Sequence, residues 1–122
     1  MLVTGYVLVG IVSLGIIYVG LNYLFAPRKI AAGFGFTEVP ENADTFLNVK
    51  GGRDIGAGLV PLTLMIYGDP HALGWVILVA ALWPVFDMLI VLRHRGKKAI
   101  AFGVHGVTAA VMAVAGLLLL LG

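Results

Sequence analysis

Residues 72–92 read ALGWVILVAALWPVFDMLIVL, and Asp87 is the only charged residue among these 21. A helix of about 20 mostly apolar residues crosses the hydrocarbon core of a bilayer, so this stretch predicts a membrane helix. A carboxylate inside such a helix costs about 2.5–3.5 kcal/mol on insertion scales, and it normally faces a protein interior or a water-filled cavity. Asp87 is therefore the first residue for which a function has to be sought.

The whole chain shares this apolar character. Hydrophobic residues make up 61% of its 122 residues and charged residues only 11%, whereas soluble domains have about 25% charged residues. The length suits one small bundle, so we predict a single integral membrane domain over residues 1–122. The chain has no cysteine, which excludes disulfides, thiolate metal sites and cysteine nucleophiles.

The uncharged runs predict four membrane helices, at about residues 2–26, 43–67, 71–92 and 98–121. The first lacks the basic segment of a signal peptide and is long enough to span, so we expect it to be retained. Asp69 and Pro70 open the third helix, and Pro84 is expected to kink it one turn before Asp87.

The second helix is the least regular of the four. Its uncharged run, residues 55–68, has 14 residues and would be about 21 Å long, which is short of the roughly 30 Å hydrocarbon core. To span, it must include Lys50, Arg53 and Asp54, with Asn42 or Asp44 as the N-cap. A short re-entrant or kinked element is the alternative.

The basic residues predict the orientation of the bundle. All eight lie between helices one and two, at the start of helix two, or between helices three and four. The positive-inside rule then places both loops in the cytoplasm. We therefore predict an all-α bundle of four transmembrane helices in the cell membrane, a multi-pass protein with both termini on the extracytoplasmic side.

Each predicted helix carries one polar residue at a similar depth. Asn22 lies six residues from Arg28, Asp87 six from Arg93, His105 seven from Lys98, and Asp54 four past Lys50. At 1.5 Å per residue these separations put them about 6–10 Å inside the cytoplasmic end. Polar groups in hydrocarbon must be satisfied inside the protein. These residues are therefore expected to converge on a site in the cytoplasmic half of the bundle.

The chemistry of these side chains suggests their roles. Carboxyl and imidazole groups in a partly desolvated site are suited to general acid–base catalysis. The predicted catalytic residues are Asp87, His105, Asp54 and Arg53. Side chains one turn away on the same helix faces would line the site, and the predicted substrate-binding residues are Asn22, Tyr18, Trp83 and Lys50.

Structural explanations compete with these functional ones. Asp54 can pair with Lys50 or Arg53 and serve only folding, and Arg53 and Lys50 can extend toward the lipid head groups. His105 can be a neutral core histidine bonded to the backbone or to Asp87. Small residues at four-residue spacing often only let helices approach closely.

The stretch FLNVKGGRDIGAGL, residues 46–59, carries a Lys-Gly-x-Arg-Asp motif. Together with residues 26–27, 87–90 and 103–108, it resembles small four-helix integral membrane proteins of bacteria and fungi. They form a domain-of-unknown-function family that is broadly similar to DoxX-like proteins. The resemblance implies a four-helix fold and a site at Lys50, Arg53, Asp54, Asp87 and His105, and it implies no particular reaction.

These observations favour a cofactor-independent acid–base enzyme acting on a lipophilic small molecule. Isomerisation, epoxide opening and cyclisation all fit, since each needs only proton transfers. One alternative is a non-catalytic lipid- or quinone-binding accessory subunit, whose basic residues would bind head groups or a soluble partner. The other is a small proton-coupled transporter, which would work as an oligomer with Asp87 carrying the proton.

Partners and cofactors follow from the same residues. Membrane lipids are expected partners, a homo-oligomer stays open, and nucleic-acid binding is not expected because orientation and lipid contact already account for the basic residues. Asp54, Asp87 and His105 form a weak two-carboxylate, one-histidine pattern for a metal. We predict no metal and no other cofactor, with His105 as the only residue suggested for haem.

Overall fold

A computed structural model describes all 122 residues and confirms the all-α class, because it has no strand. Two short helices accompany the long ones, and a π-helical segment continues α6 into α7. The elements are α1 (Leu2–Phe25), α2 (Pro27–Ala32), α3 (Asp44–Tyr67), α4 (Pro70–Ala80), α5 (Leu82–Arg93), α6 (Lys98–Ile100), the π segment (Ala101–Gly106) and α7 (Val107–Leu121).

Three helices are long and apolar enough to cross a membrane: Leu2–Phe25, Pro70–Arg93 and Lys98–Leu121, each of 24 residues. The second of these joins α4 to α5, and the third joins α6, the π segment and α7. Helix α3 also has 24 residues and is continuous rather than short. It differs in charge, because every 18-residue window within it contains Lys50, Arg53 and Asp54.

The helices pack around α1 and α7, which contact each other. Helix α3 lies against α1, and α4 lies against α7. The buried core between them includes Val9, Leu73, Ile77 and Leu119. Many large apolar side chains outside this core are exposed, among them Ile66 at 88% and Val3 at 77%, as expected of surfaces that contact lipid.

Glycines allow the closest helix contacts. A Cβ atom on Gly20 of α1 would lie 2.7 Å from the carbonyl oxygen of Gly51 in α3, and one on Gly116 of α7 would lie 3.0 Å from that of Gly74 in α4. Small residues permit such close backbone approach in membrane bundles. These two contacts allow α3 to pack closely against α1, and α4 against α7.

The predicted start of the third helix agrees with the structure, and the predicted cap of the second helix does not. Asp69 accepts a hydrogen bond from the Ala72 backbone N–H at 3.1 Å and caps α4. The prediction that Asn42 or Asp44 caps the second helix was wrong, because Ala43 is its N-cap and no side chain caps it. The Asp44 carboxylate instead accepts from the Arg28 guanidinium at 3.1 Å.

The predicted irregularity near Asp87 is present. Pro84 has no backbone N–H to donate to the Ala80 carbonyl, and the helix is interrupted at Ala81, between α4 and α5. Val85 still bonds to the Ala81 carbonyl, at a long 3.4 Å. Asp87 therefore lies within α5, six residues after the interruption and three after Pro84.

Candidate functional site

Lys50 of α3 lies at the centre of the polar side chains in the bundle. Its Nζ atom is 2.7 Å from Oδ2 of Asp54, one turn further along the same helix. The ammonium also lies over two aromatic rings, 4.3 Å from the ring centre of Tyr23 and 5.2 Å from that of Phe34. A cation over an aromatic face is attracted by the ring quadrupole, so Lys50 is held from three sides.

His105 approaches the same place from the π segment. It is buried, and its Nε2 atom lies 2.8 Å from the backbone oxygen of Phe34. Because a carbonyl can only accept, Nε2 carries the proton of this hydrogen bond, and in the neutral imidazole Nδ1 is the unprotonated, basic nitrogen. The Phe34 ring also contacts the imidazole, with centres 4.4 Å apart.

The π segment itself was not predicted. A π turn closes hydrogen bonds five residues apart and adds a residue to the turn, and such turns are frequent at functional sites. Here the turn covers Ala101–Gly106 and contains His105. The two glycines at 103 and 106 are the only local signal for it, and they are equally common in ordinary membrane helices.

Asp87 differs from its neighbours in having no polar partner. It is half-buried on α5, and its carboxylate makes no hydrogen bond or ion pair with the protein. It lies within electrostatic range of His105, Lys50 and Asp54. We call these four residues, Lys50, Asp54, Asp87 and His105, the polar cluster.

The other predicted site residues lie outside this cluster. Arg53 is exposed and has no polar partner. Tyr18 is 66% exposed and Trp83 57% exposed. Asn22 donates to the Tyr18 carbonyl of its own helix at 2.8 Å, which satisfies its amide locally. No group of three or more histidine, aspartate or glutamate side chains has a geometry that could hold a metal ion.

A cavity of about 230 Å³ adjoins the polar cluster at Lys50. Its wall is mostly apolar, with Glu38 as the only carboxylate, and Asp54, Asp87 and His105 do not line it. The lining residues are Tyr23, Ala31, Phe34, Phe36, Glu38, Val39, Pro40, Ala43, Leu47 and Lys50.

Six of these ten residues lie in 33–43, which we call the connection because it joins α2 to α3. Arg28 holds one end of it, donating to the carbonyl oxygens of Val39, Pro40 and Glu41 at 3.0–3.1 Å. At the other end the Gly35 carbonyl accepts from the Lys97 backbone N–H at 2.8 Å. The connection therefore links the two basic loops, and its Phe34 contacts Lys50 and His105 of the polar cluster.

Sequence reasoning missed the connection as part of the site. Phe34 and Phe36 stack with ring centres 5.3 Å apart, and neither was among the predicted site residues. The signal was present in the pair of aromatic residues in a polar, turn-rich stretch. The contact of Phe34 with His105, 71 residues away in sequence, could only come from the fold.

A second cavity, of about 340 Å³, lies on an apolar surface of α4 and α5 where the helix is interrupted. It is lined by Trp75, Val76, Val79, Ala80 and Trp83. All five are hydrophobic residues, and none is ionisable. Trp83 therefore belongs to an apolar groove rather than to the polar cluster.

Comparison with known proteins identifies the family. Residues 13–119 match the family described as Domain of unknown function (DUF4267). The match covers 107 of the 122 residues, so the chain belongs to this family. No curated protein and no solved structure matches the chain. The broader similarity to DoxX-like proteins stays a prediction.

Proposed function

We propose that this member of the DUF4267 family is an integral membrane protein that binds a lipophilic small molecule beside the polar cluster and catalyses proton transfer on it. The observation that carries the proposal is the unpartnered carboxylate of Asp87. An ionisable group in an apolar bundle is expensive to keep, and such groups mark functional sites. Its neighbours Asp54 and His105 are already partnered, so packing alone does not account for it.

The geometry supports distinct roles within the cluster. Asp87 would take or give a proton, and His105 would exchange one through Nδ1, since Nε2 is committed to the Phe34 carbonyl. Lys50 reaches both Asp54 and the cavity, so it would stabilise negative charge that develops on the bound molecule. Arg53, which is exposed, is less suited to that role than Lys50.

The cavity supports a lipophilic ligand. Seven of its ten lining residues are hydrophobic, and small-molecule sites are mostly apolar with a few polar groups that fix orientation. Tyr23, Phe34 and Lys50 would hold the reactive end of the molecule. Isomerisation, epoxide opening and cyclisation remain the reactions that such a set of groups would serve.

A second candidate is ligand binding without chemistry. It is favoured by one observation: the cavity is lined by Lys50 but by none of Asp54, Asp87 and His105. In that case the protein would be an accessory subunit that holds a lipid or quinone, and the carboxylate of Asp87 would have no reacting group within reach.

One experiment separates the two candidates. Purified protein is incubated in D₂O with a lipid extract of the organism's own membranes, and the extract is analysed by mass spectrometry. We expect at least one species to gain deuterium or change retention with wild type and none to change with Asp87→Asn. Asp69→Asn, at an exposed carboxylate outside the cluster and the cavity, is the control and should behave as wild type. A species that co-purifies unchanged would support binding alone.

We also propose that α3 spans the bilayer, which gives four spans with both termini on the extracytoplasmic side. Its length of 24 residues corresponds to about 36 Å, enough for a core of about 30 Å. Its charged residues Lys50 and Asp54 neutralise each other, which lowers the cost of placing them in the membrane.

A further inference from the structure

We infer that the turn Arg93–Lys98 is a binding site for the phosphate of an anionic phospholipid head group. The chain has eight basic residues, and only Arg28 and Lys50 pair with carboxylates. Four of the six unpaired ones fall in this turn: Arg93, Arg95, Lys97 and Lys98. All four are exposed and none makes a side-chain hydrogen bond within the protein.

The backbone of the turn is held in one shape. Gly96 donates its N–H to the Val91 carbonyl at 2.8 Å, and Lys97 donates to the Gly35 carbonyl of the connection, also at 2.8 Å. His94 adds an edge-to-face contact with Phe36 at 6.4 Å. A fixed backbone lowers the ordering cost of binding, so the four cations are presented together rather than on a mobile loop.

Arg95 supplies an independent observation. It is the only residue other than glycine with a positive φ, at 57°. Glycine and asparagine adopt this conformation at lower cost than arginine does. A strained residue that the surroundings hold in place points to function rather than to folding, and here the strained residue carries a guanidinium, a group that binds phosphate through two hydrogen bonds.

The position of the turn selects the ligand. It lies at the end of two apolar helices, Pro70–Arg93 and Lys98–Leu121, that are long enough to cross a membrane, so its side chains meet the head-group layer. Clusters of Lys and Arg directly beside a membrane helix recognise anionic lipids. The site does not depend on the chemistry at the polar cluster.

The test uses the full chain, purified in a neutral detergent and titrated with phosphatidylglycerol or with phosphatidylcholine, with Tm as the readout. We expect phosphatidylglycerol alone to raise Tm, and this shift to shrink in high salt. Each cation removed should weaken the apparent affinity about fivefold, which corresponds to about 1 kcal/mol. The variant R93Q/R95Q/K97Q/K98Q should therefore lose the shift.

Two further variants sharpen the result. Lys29→Gln combined with Arg53→Gln removes the other two unpaired cations and should keep the shift. Arg95→Gly should raise Tm without lipid, because the strain is relieved, and should still weaken the phosphatidylglycerol response. The proposal is overturned if both lipids act alike, if the quadruple variant or Arg95→Gly responds as wild type does, or if inorganic phosphate at the same concentration reproduces the shift.

Discussion

Asp54 and Asp87 are carboxylates of the same cluster with opposite surroundings, and they should respond differently to neutralisation. Asp54→Asn removes the negative charge that pairs with Lys50 and leaves at most a neutral acceptor, so it should lower the free energy of unfolding by up to about 1.5–3 kcal/mol, the usual value of a hydrogen bond to a charged group. Asp87→Asn removes an unpartnered charge and should leave stability unchanged or raise it by about 0.5–2 kcal/mol. Thermal melts of both variants in detergent beside wild type would measure the difference.

The stability of Asp87→Asn also tests the proposed catalytic function. If Asp87→Asn unfolds as readily as Asp54→Asn, then Asp87 has a structural partner, and the proposed catalytic function loses the observation that carries it. Asp69→Asn provides a reference in which only a helix cap is altered. It should cost little, because an asparagine side chain also caps helices well.

His105 gives a second prediction, about the connection. His105→Ala removes the hydrogen bond to Phe34, which is worth about 0.5–1.5 kcal/mol, so local opening of the connection should become roughly two- to tenfold more frequent. The chain has only two glutamates, Glu38 and Glu41, and both lie in the connection. A glutamate-specific protease therefore reports this opening directly.

The matched control for that experiment is His71→Ala. His71 is exposed near the opposite end of the same bundle and makes no side-chain hydrogen bond. Its variant should be cleaved at the wild-type rate. Equal cleavage of wild type and His105→Ala would show that Arg28, rather than His105, determines how often the connection opens.

At the scale of elements, the contact between α1 and α3 depends on two glycines. Gly20→Ala would place a methyl group 2.7 Å from the Gly51 carbonyl oxygen, and overpacking of this kind costs about 1–3 kcal/mol. Gly15→Ala, on the same helix, meets nothing within 4 Å. It should stabilise by about 0.5–1 kcal/mol, since alanine favours the helix.

Melting both alanine variants would check this contact. A Gly20→Ala protein as stable as wild type would show that α3 can move away from α1, and the position of Lys50 beside Tyr23 would then not be fixed by helix packing. Gly52→Ala, which also meets nothing within 4 Å, repeats the control on α3.

The long elements were predictable because their signal is local. An uncharged run placed the third helix at 71–92, against Pro70–Arg93 in the structure. The need to span the bilayer extended the second helix from its short uncharged run to 43–67, against Asp44–Tyr67. Pro84 also predicted an irregularity in this helix, which the structure has at Ala81. Helix α2, the connection and the π segment were missed, since their signals are short and their stability comes from contacts such as that of His105 with Phe34, far apart in the chain.

The candidate site was predictable only in part. Charge in an apolar stretch identified Asp54, Asp87 and His105, because any such residue needs an explanation. Depth along a helix says nothing about which way a side chain points, and Arg53 and Tyr18 turned out to face outward. Direction depends on the helix crossings, which glycine contacts set and which one sequence does not reveal.

At the scale of the whole molecule, the number of spans decides where the polar cluster lies in the membrane. If α3 spans, the positions of Leu2, Gly68 and Gly122 are all on the extracytoplasmic side and that of Lys97 is cytoplasmic. If α3 does not span, three crossings put the two termini on opposite sides. The absence of cysteine means that single substitutions to cysteine can report each position without background.

We expect Leu2→Cys, Gly68→Cys and Gly122→Cys to react with a membrane-impermeant maleimide in intact cells, and Lys97→Cys to react only after the cells are opened. The physical reason is the eight-to-none distribution of basic residues between the two ends of the bundle, together with the length of α3. Gly68 is the decisive position, because it follows α3 directly. Labelling of Gly68→Cys only in opened cells, with Leu2→Cys labelled in intact ones, would place α3 on one side of the membrane and move Lys50 and Asp54 out of its core.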